Sequence, residues 1–223
     1  MTPLVIIALV AWGVFVAVDL VTMPQGLFSR PLVAGTVAGA IAGNLTAGLL
    51  AGTVLELYAL DVLPIGASRY PDYGPAAVAA GASAALVPDF VVIGVAGLVG
   101  LPLAVIGGYT LHVHRRRNAI SVGRRLAQVS AGDARAIWEI QRNAVVRDIG
   151  RGVVLSVAAV FAALLMARVE WSEIAHANLL NWAVVAGGLS AVLGGALRSG
   201  GSGARRRWLG VGLAAGLFVV LVR

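Results

Sequence analysis

Apolar residues in this chain come in blocks, and the polar residues collect between them. Pro3 to Met23 is the first block, with Asp19 its single charge, near its end. Met23-Pro24-Gln25-Gly26 breaks it, since proline lacks a donor and clashes with the preceding turn. Pro31 to Leu60 then divides into two apolar runs around Gly43-Asn44-Leu45-Thr46. Each run has about a dozen residues, whereas a continuous helix needs about 20 to cross a hydrocarbon core. A broken or re-entrant helical hairpin is therefore predicted here. Asp61 to Pro75 is dense in Pro, Gly and Tyr and reads as a loop near an interface, where Tyr70 and Tyr73 suit the headgroup belt. Ala76 to Val87 has the length of a half-span. Phe90 to Val113 is long enough to cross.

From His114 to Arg151 the pattern changes. Ile120, Leu126, Ile137, Ile140 and Val145 recur at helical spacing among charged residues, which predicts amphipathic helices at a membrane surface. Apolar blocks return at Val153 to Ala167, Leu179 to Leu197 and Trp208 to Val222. The expected fold is all-α: a polytopic membrane protein with a membrane region over 1–113, a basic region over 114–151 and a second membrane region over 152–223.

Composition agrees. At 223 residues, 59% hydrophobic and mean hydropathy +0.91, the chain has more apolar surface than one soluble core could hide. The first block has neither the basic start nor the cleavage site of a signal peptide and is read as a retained span. The sequence contains no cysteine and three scattered histidines, so no metal site and no cofactor is expected.

The net charge of +7 changes the picture only when its positions are read. Nine of the 17 basic residues lie between Arg115 and Arg151, and Arg205-Arg206-Arg207 forms a second cluster. Basic loops flanking spans mark the cytoplasmic side and face anionic lipid. With no interleaved aromatic residues for base stacking, nucleic acid is not an expected partner.

Candidate chemistry concentrates in the interrupted region. Glu56 is an isolated carboxylate inside an apolar run, which is costly unless it is paired, protonated or faces a polar cavity. Gln25 and Asn44 lie at helix breaks, where transporters commonly place binding sites. Arg69 and Asp72 are spaced to pair with each other, or for either to face a substrate. Glycines at 35, 39, 43, 48 and 52 form a small-residue stripe suited to close helix packing. Asp19 reads as an interfacial carboxylate, and His112 and His114 as solvated residues beside a basic run.

The order Gln25, Arg30-Pro31-Leu32, Gly43-Asn44, Gly48, Gly52-Thr53-Val54-Leu55-Glu56-Leu57, Ile65-Gly66 and Pro71-Asp72 resembles the membrane subunit IIC of mannose/fructose/sorbose-type phosphotransferase systems. The resemblance covers about the first ninety residues closely and the remainder by layout. It implies a multi-pass permease in a bacterial cytoplasmic membrane, working with a IID membrane subunit and with IIA and IIB phosphocarrier proteins in a homo-oligomeric complex. The substrate would be a hexose, phosphorylated by IIB on entry. The family's phosphate-carrying histidines belong to the soluble proteins, so no catalytic residue is expected in this chain. Gln25, Asn44, Glu56, Arg69 and Asp72 are the expected substrate-binding residues. Pro24 stands where the family usually has an acid, and with a C-terminal half shorter than in typical members it keeps a non-transporting assembly subunit open as an alternative; the isolated Glu56 keeps open a second, an unrelated proton- or cation-coupled transporter.

Overall fold

A computed structural model describes residues 1–22, 24–62 and 68–199, with 207, 211 and 212. Among these residues the chain is helical, with no strand. The helices are α1 (Pro3–Asp19), α2 (Pro31–Ala42), α3 (Leu45–Ala59), α4 (Tyr73–Ala84), α5 (Val92–Arg124), α6 (Leu126–Ser130), α7 (Ala134–Met166) and α8 (Leu179–Ser199). Three stretches are long and apolar enough to span a membrane: Asp89–Arg124, Ala134–Met166 and Leu179–Leu197. The block over residues 208–222 and the Ile65-Gly66 pair lie outside the described residues, apart from 211 and 212.

The short apolar runs become the expected hairpin. Pro31 opens α2, where its missing donor costs no helical bond. Gly43 ends α2 at φ 103°, a left-handed conformation that glycine adopts without strain. Asn44 then caps α3, its Oδ1 accepting the Ala47 N–H at 3.0 Å. Two abrupt caps with no spacer fold α3 back along α2. The glycine stripe lets the two backbones touch: a Cβ on Gly48 would stand 2.6 Å from Gly39 Cα, and one on Gly35 would stand 2.9 Å from Gly52 Cα. The third partner is α4, where a Cβ on Gly81 would collide with the Gly35 carbonyl.

Helix α4 is the centre of the molecule. Every residue from Gly74 to Ala84 is buried, and the run is almost all Ala and Gly, so surrounding helices approach closely from all sides. Leu9 and Val16 from α1, Ala34 and Ala38 from α2, Leu55 from α3, Val95 from α5 and Ala159 from α7 complete the core. Small residues provide little apolar area each, and dense packing takes its place as the cohesive term inside a bilayer.

The basic region continues the spans. No proline follows Pro102, and arginine is a good helix former, so α5 runs unbroken from the apolar Val92 to Arg124. After the short α6, Gly132 at φ 74° turns the chain, and Asp133 Oδ1 accepts the Arg135 and Ala136 N–H groups to start α7. Helix α7 leads back from Ala134 to Met166. Residues 114–151 thus take in the adjoining ends of two 33-residue helices joined through α6, with His114, Asp148 and Arg151 still buried in the bundle.

Candidate functional site

Between α1 and α2 the chain is non-helical over residues 24–30, beside helices that are apolar on both sides. A lipid-exposed stretch of this kind would strand its backbone groups, so protein must satisfy them. Asp19 does so. Its Oδ1 accepts the Gly26 N–H at 2.7 Å and its Oδ2 accepts the Ser29 N–H at 2.8 Å, with the residue fully buried. The interfacial reading of Asp19 is therefore corrected. Its carboxylate is the internal anchor of the loop, and its two backbone donors compensate the buried charge. Within the loop, Gln25 (φ 57°) and Leu27 (φ 68°) adopt left-handed conformations that side chains disfavour.

Glu56 reaches the same region from α3. One oxygen pairs with the Arg30 guanidinium, and Oε2 accepts the Leu32 N–H at 3.1 Å. Its carboxylate thus sits at the start of α2, where the helix dipole and an unsatisfied N–H both favour negative charge. The residue is half-buried and paired rather than isolated.

Asp72 lies at the start of α4, fully buried. Its partner is Arg151 of α7, whose Nη1 donates to Asp72 Oδ2 at 2.6 Å. This corrects the expected Arg69–Asp72 pairing: Arg69 is exposed, and spacing along the chain could not reveal a partner 79 positions away. Arg151 also donates to Asp148 Oδ1 at 2.9 Å and to the Ala17 carbonyl at 2.8 Å, while Thr22 donates to Asp148 Oδ2 at 2.5 Å. One guanidinium therefore ties α1, α4 and α7 together. His114 lies alongside, only 7% exposed, with Nε2 2.9 Å from Asn118 Nδ2, so its solvated reading is also corrected. Tyr70 is half-buried, with Arg115 stacked over its ring and bonded to its hydroxyl.

These groups form one layer. A Cβ on Gly74 would meet the Ser29 carbonyl at 3.0 Å, which puts the start of α4 against the loop before Arg30 and Glu56. A Cβ on Gly107 would meet Asp72 Cβ at 3.1 Å. At a rise of 1.5 Å per residue, Gly107 lies about 22 Å along α5 from Val92, inside a hydrocarbon core of about 30 Å. Gln25, Glu56 and Asp72 are thus brought to one region of the bundle. Asn44 is not, since it caps the opposite end of α3.

Beside the layer a cleft of about 470 Å³ opens between the loop and the inner parts of α5 and α7. Thr22, Gln25, His114, Arg115, Asn118 and Gln141 line it. Two amides from α5 and α7, a loop amide, a hydroxyl and a guanidinium can each bond more than one oxygen. That chemistry suits a neutral, many-hydroxyl ligand. Sequence reading found Gln25 but missed Asn118 and Gln141, which lie in polar surroundings where two amides carry no signal. Among the described residues no group of His, Asp or Glu is placed to hold a metal ion.

A family profile described as the PTS system sorbose-specific IIC component matches residues 3–202. This chain belongs to that phosphotransferase-system IIC family. Two solved structures share the fold of this IIC component. One is described only as a membrane protein, at TM-score 0.62 and 22% identity, covering 100% of this chain and 96% of the other. The second is the mannose transporter ManYZ in complex with a microcin, at TM-score 0.56 and 20% identity, covering 100% and 95%. No curated protein matches. The chain is thus a multi-pass membrane component of a sugar phosphotransferase system, part of a membrane complex with other components of that system.

Proposed function

We propose that this IIC chain is the permease subunit of a mannose-type system, forming with a IID subunit the path for a hexose that IIB phosphorylates on entry. IIA supplies phosphate to IIB, and several copies of this chain, each with its IID subunit, assemble in a bacterial cytoplasmic membrane. The observation that carries the reading is the polar cleft at Gln25, backed by a layer of paired charges within the membrane. A sugar leaving water loses many hydrogen bonds, and amides, hydroxyls and paired charges replace them without presenting an uncompensated charge to lipid.

In this reading Gln25 and the cleft amides bond sugar hydroxyls. Glu56 and Asp72 contribute through the groups they hold, Glu56 by fixing Arg30 and the start of α2, Asp72 by fixing Arg151. The strained loop over residues 24–30 is the element that shifts as the sugar passes, since left-handed Gln25 and Leu27 can relax when it moves. Arg69, exposed in the connection before α4, and Asn44, at the hairpin tip on the opposite end of α3, would meet the sugar away from the cleft, elsewhere along its path.

The test is phosphoenolpyruvate-dependent phosphorylation of labelled hexoses by membranes containing this chain and its IID partner, supplied with the soluble components. Product accumulating only when both membrane subunits are present supports group translocation. A well-assembled wild-type complex that phosphorylates none of the hexoses would contradict it and favour an assembly subunit without transport.

A further inference from the structure

A second cleft, distinct from the one at Gln25, runs between α5 and α7 on the outer surface of the bundle. Its volume is about 420 Å³, and Tyr109, Val113, Arg117, Arg147, Gly150 and Val154 are among its lining residues. Both helices grade from apolar to basic in the same direction. On α5, Tyr109, Val113 and Arg117 follow at intervals of four, one helical face. On α7, which runs the opposite way, Val154, Gly150 and Arg147 follow in the same spatial order. The apolar end is open to the surroundings, with Tyr109 65% and Val154 68% exposed.

Depth fits as well. Arg117 lies about 38 Å along α5 from Val92, and Arg147 about 29 Å along α7 from Met166. With a hydrocarbon core of about 30 Å, Arg117 lies beyond its edge and Arg147 at it, where a long side chain reaches the headgroups, while Tyr109 and Val154 stay among acyl chains. Among the described residues neither Arg117 nor Arg147 pairs with a carboxylate. Arg147 bonds the Asn143 carbonyl at 3.0 Å and the Ser121 hydroxyl at 3.3 Å, contacts that aim its side chain without neutralising it. Behind them Arg151 is already held by Asp72 and Asp148, and His114 borders the cleft.

We infer that this cleft binds one anionic phospholipid, its phosphate held between Arg117 and Arg147 and an acyl chain lying along Val113, Val154 and Tyr109. Charge complementarity selects the occupant. A partner's apolar helix would leave two cations uncompensated beside the bilayer, whereas a phosphodiester supplies a charge for both at the depth where lipids carry it. Gly150 makes the space: a Cβ there meets no atom within 4 Å, so the helix surface is recessed at mid-cleft. The site is independent of the sugar reading.

The test is native mass spectrometry of the purified membrane complex that contains this chain, delipidated and titrated with phosphatidylglycerol or phosphatidylcholine. The wild type should retain phosphatidylglycerol selectively. Arg117→Gln/Arg147→Gln should weaken its binding about thirtyfold, taking about one kilocalorie per mole for each basic residue near the surface. Gly150→Leu fills the open recess without changing charge and should lower retention similarly, with unchanged helicity and elution volume. Equal retention of the two lipids, or variants that hold phosphatidylglycerol like the wild type, would overturn the assignment. So would displacement of the lipid by millimolar inorganic phosphate, which would make it a free-anion site, or chemical cross-linking that shows a IID helix in the cleft.

Discussion

At the scale of single residues, the buried charges decide most. Arg151 is 9% exposed and compensates two carboxylates that are fully buried. Removing it leaves both unpaired, and Arg151→Met should destabilise the chain by about 3–5 kcal/mol. Thermal unfolding of the purified complex in detergent should show a correspondingly large fall in Tm, and a fall no greater than that of an exposed Arg116→Gln control would refute the role. Asp19→Asn keeps the size of the anchor but replaces one acceptor oxygen by a donor, which then faces a backbone N–H. A cost of about 1–3 kcal/mol is expected, together with weaker sugar binding because the Gln25 loop loses its hold. A variant that unfolds normally and binds sugar normally would contradict the anchoring role. None of these partnerships was legible in the sequence. Glu56 announced itself because it interrupts an apolar run, but Asp19, Asp72 and His114 lie beside polar stretches where a buried residue looks like a solvated one. Arg151 sits among nine arginines with nothing local to distinguish it.

At the scale of elements, the α2–α3 hairpin was readable because its determinants are local: short apolar runs, a glycine and an asparagine at the turn, and small residues at near-fourfold spacing. The packing makes a contrast that can be measured. Gly39 and Gly48 are in backbone contact, so Gly39→Ala should overpack the hairpin and cost about 1–3 kcal/mol. Gly123, late in α5, has open space around it, and Gly123→Ala should instead stabilise the helix by up to about 1 kcal/mol. Unfolding midpoints moving the same way in both variants would contradict the close approach of α2 and α3. The length of α5 and α7 was harder to see. A change from apolar to charged residues looks like an element boundary, yet the backbone has no reason to stop where its surroundings change from lipid to water.

At the scale of the whole molecule, the fold sets a layer of paired charges inside an apolar bundle and directs the arginine-rich end of α5 and α7 to one side. If that end is cytoplasmic, Ser130→Cys near its tip should resist a membrane-impermeant maleimide in intact cells and react after permeabilisation, while Ser172→Cys should react from outside. The chain has no native cysteine to confuse the result. The reverse pattern would invert the orientation. The most direct measurement of sugar binding is the equilibrium affinity of a labelled hexose for the purified membrane complex that contains this chain, comparing wild type with Gln25→Ala and Glu56→Gln. Both variants should remain folded and lose affinity by tenfold or more, taking about 1.4 kcal/mol per tenfold. Wild-type affinity in both would contradict it, because the sugar would then bind away from the cleft and the charge layer.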